Sequence, residues 1–100
     1  MNNIPYEARA NVYAEAIATF GKEVQLIVAL EELSEAQKEI CKALRGDIRA
    51  DNLAEEVADA TIVLEQVRQI FGINDQVCSQ MDAKILRLRR RIDDARKGRP

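Results

Sequence analysis

Histidine and tryptophan are absent from this 100-residue chain, which also has only two cysteines, two prolines and four glycines. Each scarcity closes off some chemistry or structure. Without histidine, neither a Ser-His-Asp nor a Cys-His mechanism can be assembled within the chain. The Glu-x-x-His pairs of di-iron bundles are missing too. Cys41 and Cys78 stand far apart with no CxxC, so neither a disulfide framework nor a zinc site is expected. Both read as small core residues in a reducing compartment. Pro5 and Pro100 lie at the two ends, leaving the interior without the residue that breaks helices most effectively. No apolar run approaches a membrane span, and MNNIPYEARA lacks the charged-then-apolar layout of a leader. The expectation is a cytoplasmic chain with no membrane partner.

What is present is 47% apolar and 32% charged, the composition of a soluble helical protein. A chain of this length makes one domain, 1–100, and buries only a modest core, so partner chains would help it. The net charge of −2 is unevenly spread, with eight Lys or Arg against two Asp from Lys84 to Pro100. Such a tail fits either nucleic acid or a solvated helix end favoured by its macrodipole.

Gly21, Gly46 and Gly72 fall where helix C-caps belong. They divide the chain into helices over about 5–20, 22–45, 53–71 and 75–97, with no strand patterning: an all-α, four-helix protein. Pro5 suits the first turn of helix 1. Asn52, three before Glu55, reads as an N-cap with a capping-box partner, and Asn74 as a cap for helix 4. On a wheel of about 100° per residue, helix 2 gathers Leu26, Leu30, Leu33, Ile40 and Leu44 into a stripe read as core. Ala29, Ala36 and Ala43 flank it, with Gln25, Glu32, Glu39 and Glu35 just beyond. In helix 3 the core face is Leu53, Val57, Ala60, Leu64, Val67 and Phe71, widened by Val63 and Ile70. Glu56 falls inside that arc, Asp59 at its margin, and Glu55 and Glu65 toward solvent. Val77, Met81, Ile85, Leu88 and Ile92 form the stripe of helix 4.

An ionised carboxylate on an apolar face is costly unless a cation or donors compensate it. Glu32/Glu35 and Glu56/Asp59 are the two acidic pairs at i, i+3 spacing, which projects two carboxylates from one helix face. Two such helices packed antiparallel would aim four carboxylates at one centre, an all-oxygen set suited to Mg²⁺ or Mn²⁺. Acidic pairs at this spacing also occur as plain solvated surface; the coincidence of two pairs, with Glu56 on the apolar arc, favours a cation site.

EELSE followed by EEVAD resembles the E-E-x-x-E … E-x-x-D signature of the MazG-like all-α nucleoside triphosphate pyrophosphohydrolases. The likeness runs from FGKEVQLIVALEELSEAQKEICKALRG through DNLAEEVADATIVLEQVRQIFG to KILRLRRRI, about residues 20–92. The resemblance implies a four-helix MazG-like bundle completed by oligomerisation, as a homodimer or homotetramer. It implies Mg²⁺ (or Mn²⁺) held by Glu32, Glu35, Glu56 and Asp59, with Glu31 completing the first motif as a water-orienting group or an exposed ion-pair partner. The implied reaction is hydrolysis of a (d)NTP to (d)NMP and pyrophosphate, by metal-activated water attack at the α-phosphate. Lys84, Arg87 and Arg91 run along one edge of helix 4 and would meet the phosphates, or else lie along the core boundary. Gln25 would hydrogen-bond base or sugar. Tyr6, Tyr13 and Phe20 recur every seven residues and would stack on a base or fill the core, the core being favoured. Two alternatives stand beside this reading: phosphoribosyl-ATP pyrophosphohydrolase, and a non-catalytic helical adaptor or nucleic-acid-binding bundle. Nucleic acid is not the favoured partner.

Overall fold

The structure, a computed structural model, describes residues 3–98. Met1, Asn2 and, from the basic tail, Arg99 and Pro100 lie outside the described residues. The described chain is all-α, in four helices: α1 Tyr6–Phe20, α2 Lys22–Leu44, α3 Ala50–Phe71 and α4 Asn74–Arg96. The glycine punctuation is borne out. Gly72 adopts the left-handed conformation at φ 63° and closes α3, and the following Ile73 N–H reaches back to the Arg68 carbonyl at 3.0 Å. Gly46 does the same for α2 at φ 90°, with Asp47 N–H donating to the Lys42 carbonyl at 3.0 Å. Both are six-residue closures that satisfy carbonyls left orphaned at a helix end, and they need a positive φ.

The expected caps are not observed. α3 begins at Ala50, so Asn52 lies inside its first turn, and Arg49 occupies the cap position without a side-chain hydrogen bond. Asn74 is the first residue of α4 rather than its cap, and its side chain instead accepts from Arg68 Nη1 at 3.5 Å. Pro5 stands just before α1, where its carbonyl accepts the Arg9 N–H at 3.0 Å.

The five residues from Arg45 to Arg49 turn α2 back onto α3, forming an antiparallel hairpin, the principal contact of the fold. α1 packs across both helices of the hairpin, whereas α4 touches α3 alone. The seam between α2 and α3 holds buried Gln25, Ala29 and Ala36 from one side and Val63 and Gln66 from the other. This revises the expected core. The leucine stripe of α2 lies beside the seam, leaving Leu30 70% and Leu44 83% exposed. The corresponding face of α3 leaves Val57, Leu64 and Phe71 exposed. Small residues at the contact let two helices approach closely, so the alanine edge forms the seam and the bulky edge does not. In α4 no residue is buried, and Met81, Ile85 and Leu88 are exposed. Cys41 and Cys78, expected in the core, are free and exposed.

α1 is tied down by polar contacts. Arg9 grips Glu65 with two bonds, Nε to Oε1 at 3.0 Å and Nη2 to Oε2 at 2.8 Å, and Tyr13 donates its hydroxyl to Glu65 Oε1. Glu65 therefore faces α1, not solvent. Of the aromatic series, Tyr13 is buried at 5% exposure, while Tyr6 and Phe20 are exposed. The whole is extended: its radius of gyration is 16.9 Å, against about 13 Å for a compact 100-residue domain. Its exposed apolar residues and elongated shape are consistent with oligomerisation. Among the described residues no helix is long and apolar enough to cross a membrane.

Candidate metal centre

The antiparallel seam sets residues of α2 against residues of α3 in a fixed register. About midway along it, Glu32 from α2 meets Glu56 and Asp59 from α3. Each offers a carboxylate oxygen, and all three oxygens lie within 4.8 Å of one another. The three side chains are half-buried. Glu56 and Asp59 converge because residues three apart share a face of a helix. Glu32 joins them because it lies just beyond the alanine edge, which forms the seam. Seven residues before Glu32 and seven after Asp59, the same register sets Gln25 level with Gln66, both buried. That layer stands about 10 Å along the seam from the acids.

The electrostatics are those of uncompensated negative charge. Desolvation and the neighbouring Asp59 carboxylate push the Glu56 pKa up, with Glu35, Glu55 and Glu39 adding to the effect. Glu32 is raised by desolvation, by repulsion from Asp59 and a hydrogen bond with it, and then by Glu56 and Glu35. No lysine or arginine makes an ion pair with Glu32, Glu56 or Asp59 among the described residues. Glu56 Oε2 is buried and has no hydrogen-bond partner. A buried carboxylate oxygen without a donor is a costly feature; a proton relieves it, and so would a hard divalent cation, which binds oxygen ligands at about 2.0–2.1 Å in the case of Mg²⁺. The donor set fits such an ion: three carboxylates, all oxygen, converging from two elements that pack rigidly together.

The other expected site residues fall as follows. Glu35 lies outside the triad; its side chain is exposed and pairs with Lys38 at 3.4 Å, although its charge still reaches Glu32 and Glu56. Glu31 is exposed. Gln25 is buried in the seam at 8% exposure. Lys84, Arg87 and Arg91 are exposed on α4 and form no ion pair among the described residues. Glu39, set beside Glu32 on the wheel but not among the expected ligands, has a side chain only 11% exposed and pairs with Lys42 at 2.9 Å. Its place two turns after Glu32, on the same face, was the available signal. Clefts of about 350 and 290 Å³ lie elsewhere, one along the outer face of α2 by Cys41, the other between α1 and the start of α4.

No protein-family model matches the chain, and neither a curated protein nor a solved structure matches it.

Proposed function

We propose that this chain is a Mg²⁺-dependent nucleoside triphosphate pyrophosphohydrolase of the MazG-like kind, acting as a homodimer or homotetramer with Mn²⁺ as an alternative ion. One observation carries the reading: the carboxylates of Glu32, Glu56 and Asp59 converge from two helices, and among the described residues no Lys or Arg pairs with them. The likeness of EELSE and EEVAD to a pyrophosphohydrolase signature supports the substrate class.

Glu32, Glu56 and Asp59 would hold the ion, with Glu35 as a further ligand from the adjoining turn. A divalent ion there supplies positive charge against the triphosphate and lowers the pKa of bound water. The chain's own contribution is positioning. Two helices locked along an alanine seam hold the carboxylates together, which suits a reaction that depends mainly on placement and electrostatics. Any cluster oxygen that is not a ligand accepts the proton released when water attacks the α-phosphorus. The exposed cations Lys84, Arg87 and Arg91 are available to bind β- and γ-phosphate oxygens, Arg as a fork and Lys as a point charge. Gln25 offers an amide to sugar or base.

The test is pyrophosphate release across the common NTPs and dNTPs and phosphoribosyl-ATP, with Mg²⁺ or Mn²⁺. Turnover that vanishes with chelator and in Glu56→Gln is the expected result. Salt-dependent nucleic-acid binding that ignores Mg²⁺, without pyrophosphate release, would sink the reading and favour the adaptor.

A further inference from the structure

The acid triad lies on one flank of the α2–α3 hairpin, and that flank differs in its two directions. On a wheel of about 100° per residue, Glu32 and Glu39 of α2 and Asp59 and Gln66 of α3 turn from the seam toward the side that carries α1. Toward Gln25 and Gln66 that side is taken by α1, which holds α3 at Glu65 and Gln69. Toward the connection from Arg45 to Arg49 it is open, with Glu35, Asn52 and Glu55 exposed. α4 joins α3 through Arg68, which stands nine residues after Asp59 and so half a turn around the helix from it. Within one chain the cations of α4 are therefore not on the acid flank.

α2 supplies a cation that is. Lys42 pairs with Glu39 at 2.9 Å, with side chains 44% and 11% exposed, whereas the neighbouring Lys38–Glu35 pair is longer at 3.4 Å and 66% and 52% exposed. Lys42 is thus the more firmly held of the two. It lies ten residues after Glu32, about 15 Å along the axis. Its side chain leans back toward the helix N-terminus, and the ion pair sets its Nζ against Glu39. Glu39 stands only seven residues, about 10 Å, beyond Glu32. Glu39 is near enough to the triad for its charge to raise the Glu56 pKa.

We infer that Lys42, positioned by Glu39, binds the polyphosphate of the substrate, which runs from the triad along the hairpin toward the α2–α3 connection. The inference rests on the hydrolase reading and adds to it a direction and a residue. α1 closes the opposite direction. A polyanion leaving the triad the open way passes Glu35, Glu39 and Glu55, like charges that repel it unless they are compensated. Lys42 cancels the charge of Glu39. Its ammonium also has three donors; with one committed to Glu39, two are left for phosphate oxygens, as charge-assisted hydrogen bonds. Because the ion pair already orders this side chain, little of its freedom remains to be lost on binding.

Calorimetric titration of the full chain with inorganic tripolyphosphate in the presence of Mg²⁺ tests the contact without relying on turnover. Lys42→Ala is expected to weaken binding about tenfold and to retain the fold, since an ion pair at a helix surface adds little stability. Glu39→Gln should weaken binding about threefold, and should have no such effect when Lys42 is already alanine. Lys22→Ala removes the same charge from the opposite end of α2 and should leave binding within about twofold of wild type. Wild-type protein that binds no tripolyphosphate, Lys42→Ala that binds it as wild type does, or Lys22→Ala that weakens it equally would overturn the inference. Tripolyphosphate binding that depends on Lys42, in a protein that releases pyrophosphate from no nucleotide, would uphold this contact and sink the hydrolase reading.

Discussion

At the scale of single residues, the chain contains two kinds of perturbed glutamate, and they respond to pH in opposite senses. Glu65 is held below the ordinary carboxylate range by its bonds from Arg9, against desolvation, with the Tyr13 hydroxyl adding a smaller lowering. Its ionised form is favoured in the folded state. Its contribution is therefore complete above the unfolded-state pKa and is lost as pH falls through the lowered folded value. Glu32 and Glu56 are raised, so without metal they favour folding at low pH and weaken it as pH climbs through their raised values. Glu65→Ala is expected to lower Tm by about 5 °C near neutrality, and the difference from wild type should shrink as pH falls below the glutamate range. Thermal melts across pH check this; a gap that stays constant would show that the ionised carboxylate is not what holds α1. Glu65 was misread in the sequence because its partner Arg9 is 56 residues away. On the wheel of α3 alone it looks solvent-facing, and no local pattern reveals that α1 lies over it.

At the scale of elements, the four helices were legible because glycine at their ends and the near-absence of proline leave few other readings. Their starts were less so. Asn52 has the spacing of a capping box, yet the short connection from Gly46 lets α3 begin at Ala50, which takes Asn52 into the helix. Asn52→Ala should therefore leave stability within about 0.5 kcal/mol of wild type, since alanine is the better interior helix former, whereas loss of a true cap costs about 1 kcal/mol. Gly72→Ala, forcing a side chain into the left-handed region, should cost about 1–2 kcal/mol. Urea denaturation of the two variants separates these outcomes. The seam was only half legible. The acidic pairs and the alanine edge were visible on the helical wheel, but hydropathy ranks leucine above alanine and so selected the wrong edge as the intramolecular contact. The same misranking explains why the leucine stripes, read as core, stand exposed in the single chain.

At the scale of the whole molecule, one geometric choice organises the rest. Packing α2 on α3 through small residues brings Glu32 to Glu56 and Asp59, and it also leaves much of the bulky stripes exposed. The candidate site and the apolar face are thus two consequences of a single seam. The central claim is that this seam creates a cation site, and electron paramagnetic resonance with Mn²⁺ measures it directly. Wild-type protein titrated with Mn²⁺ is predicted to take up the ion at a saturable site that Mg²⁺ displaces, with the free-ion signal restored in Glu32→Gln and Glu56→Gln. Uptake that is absent, or that survives both substitutions unchanged, would contradict the account.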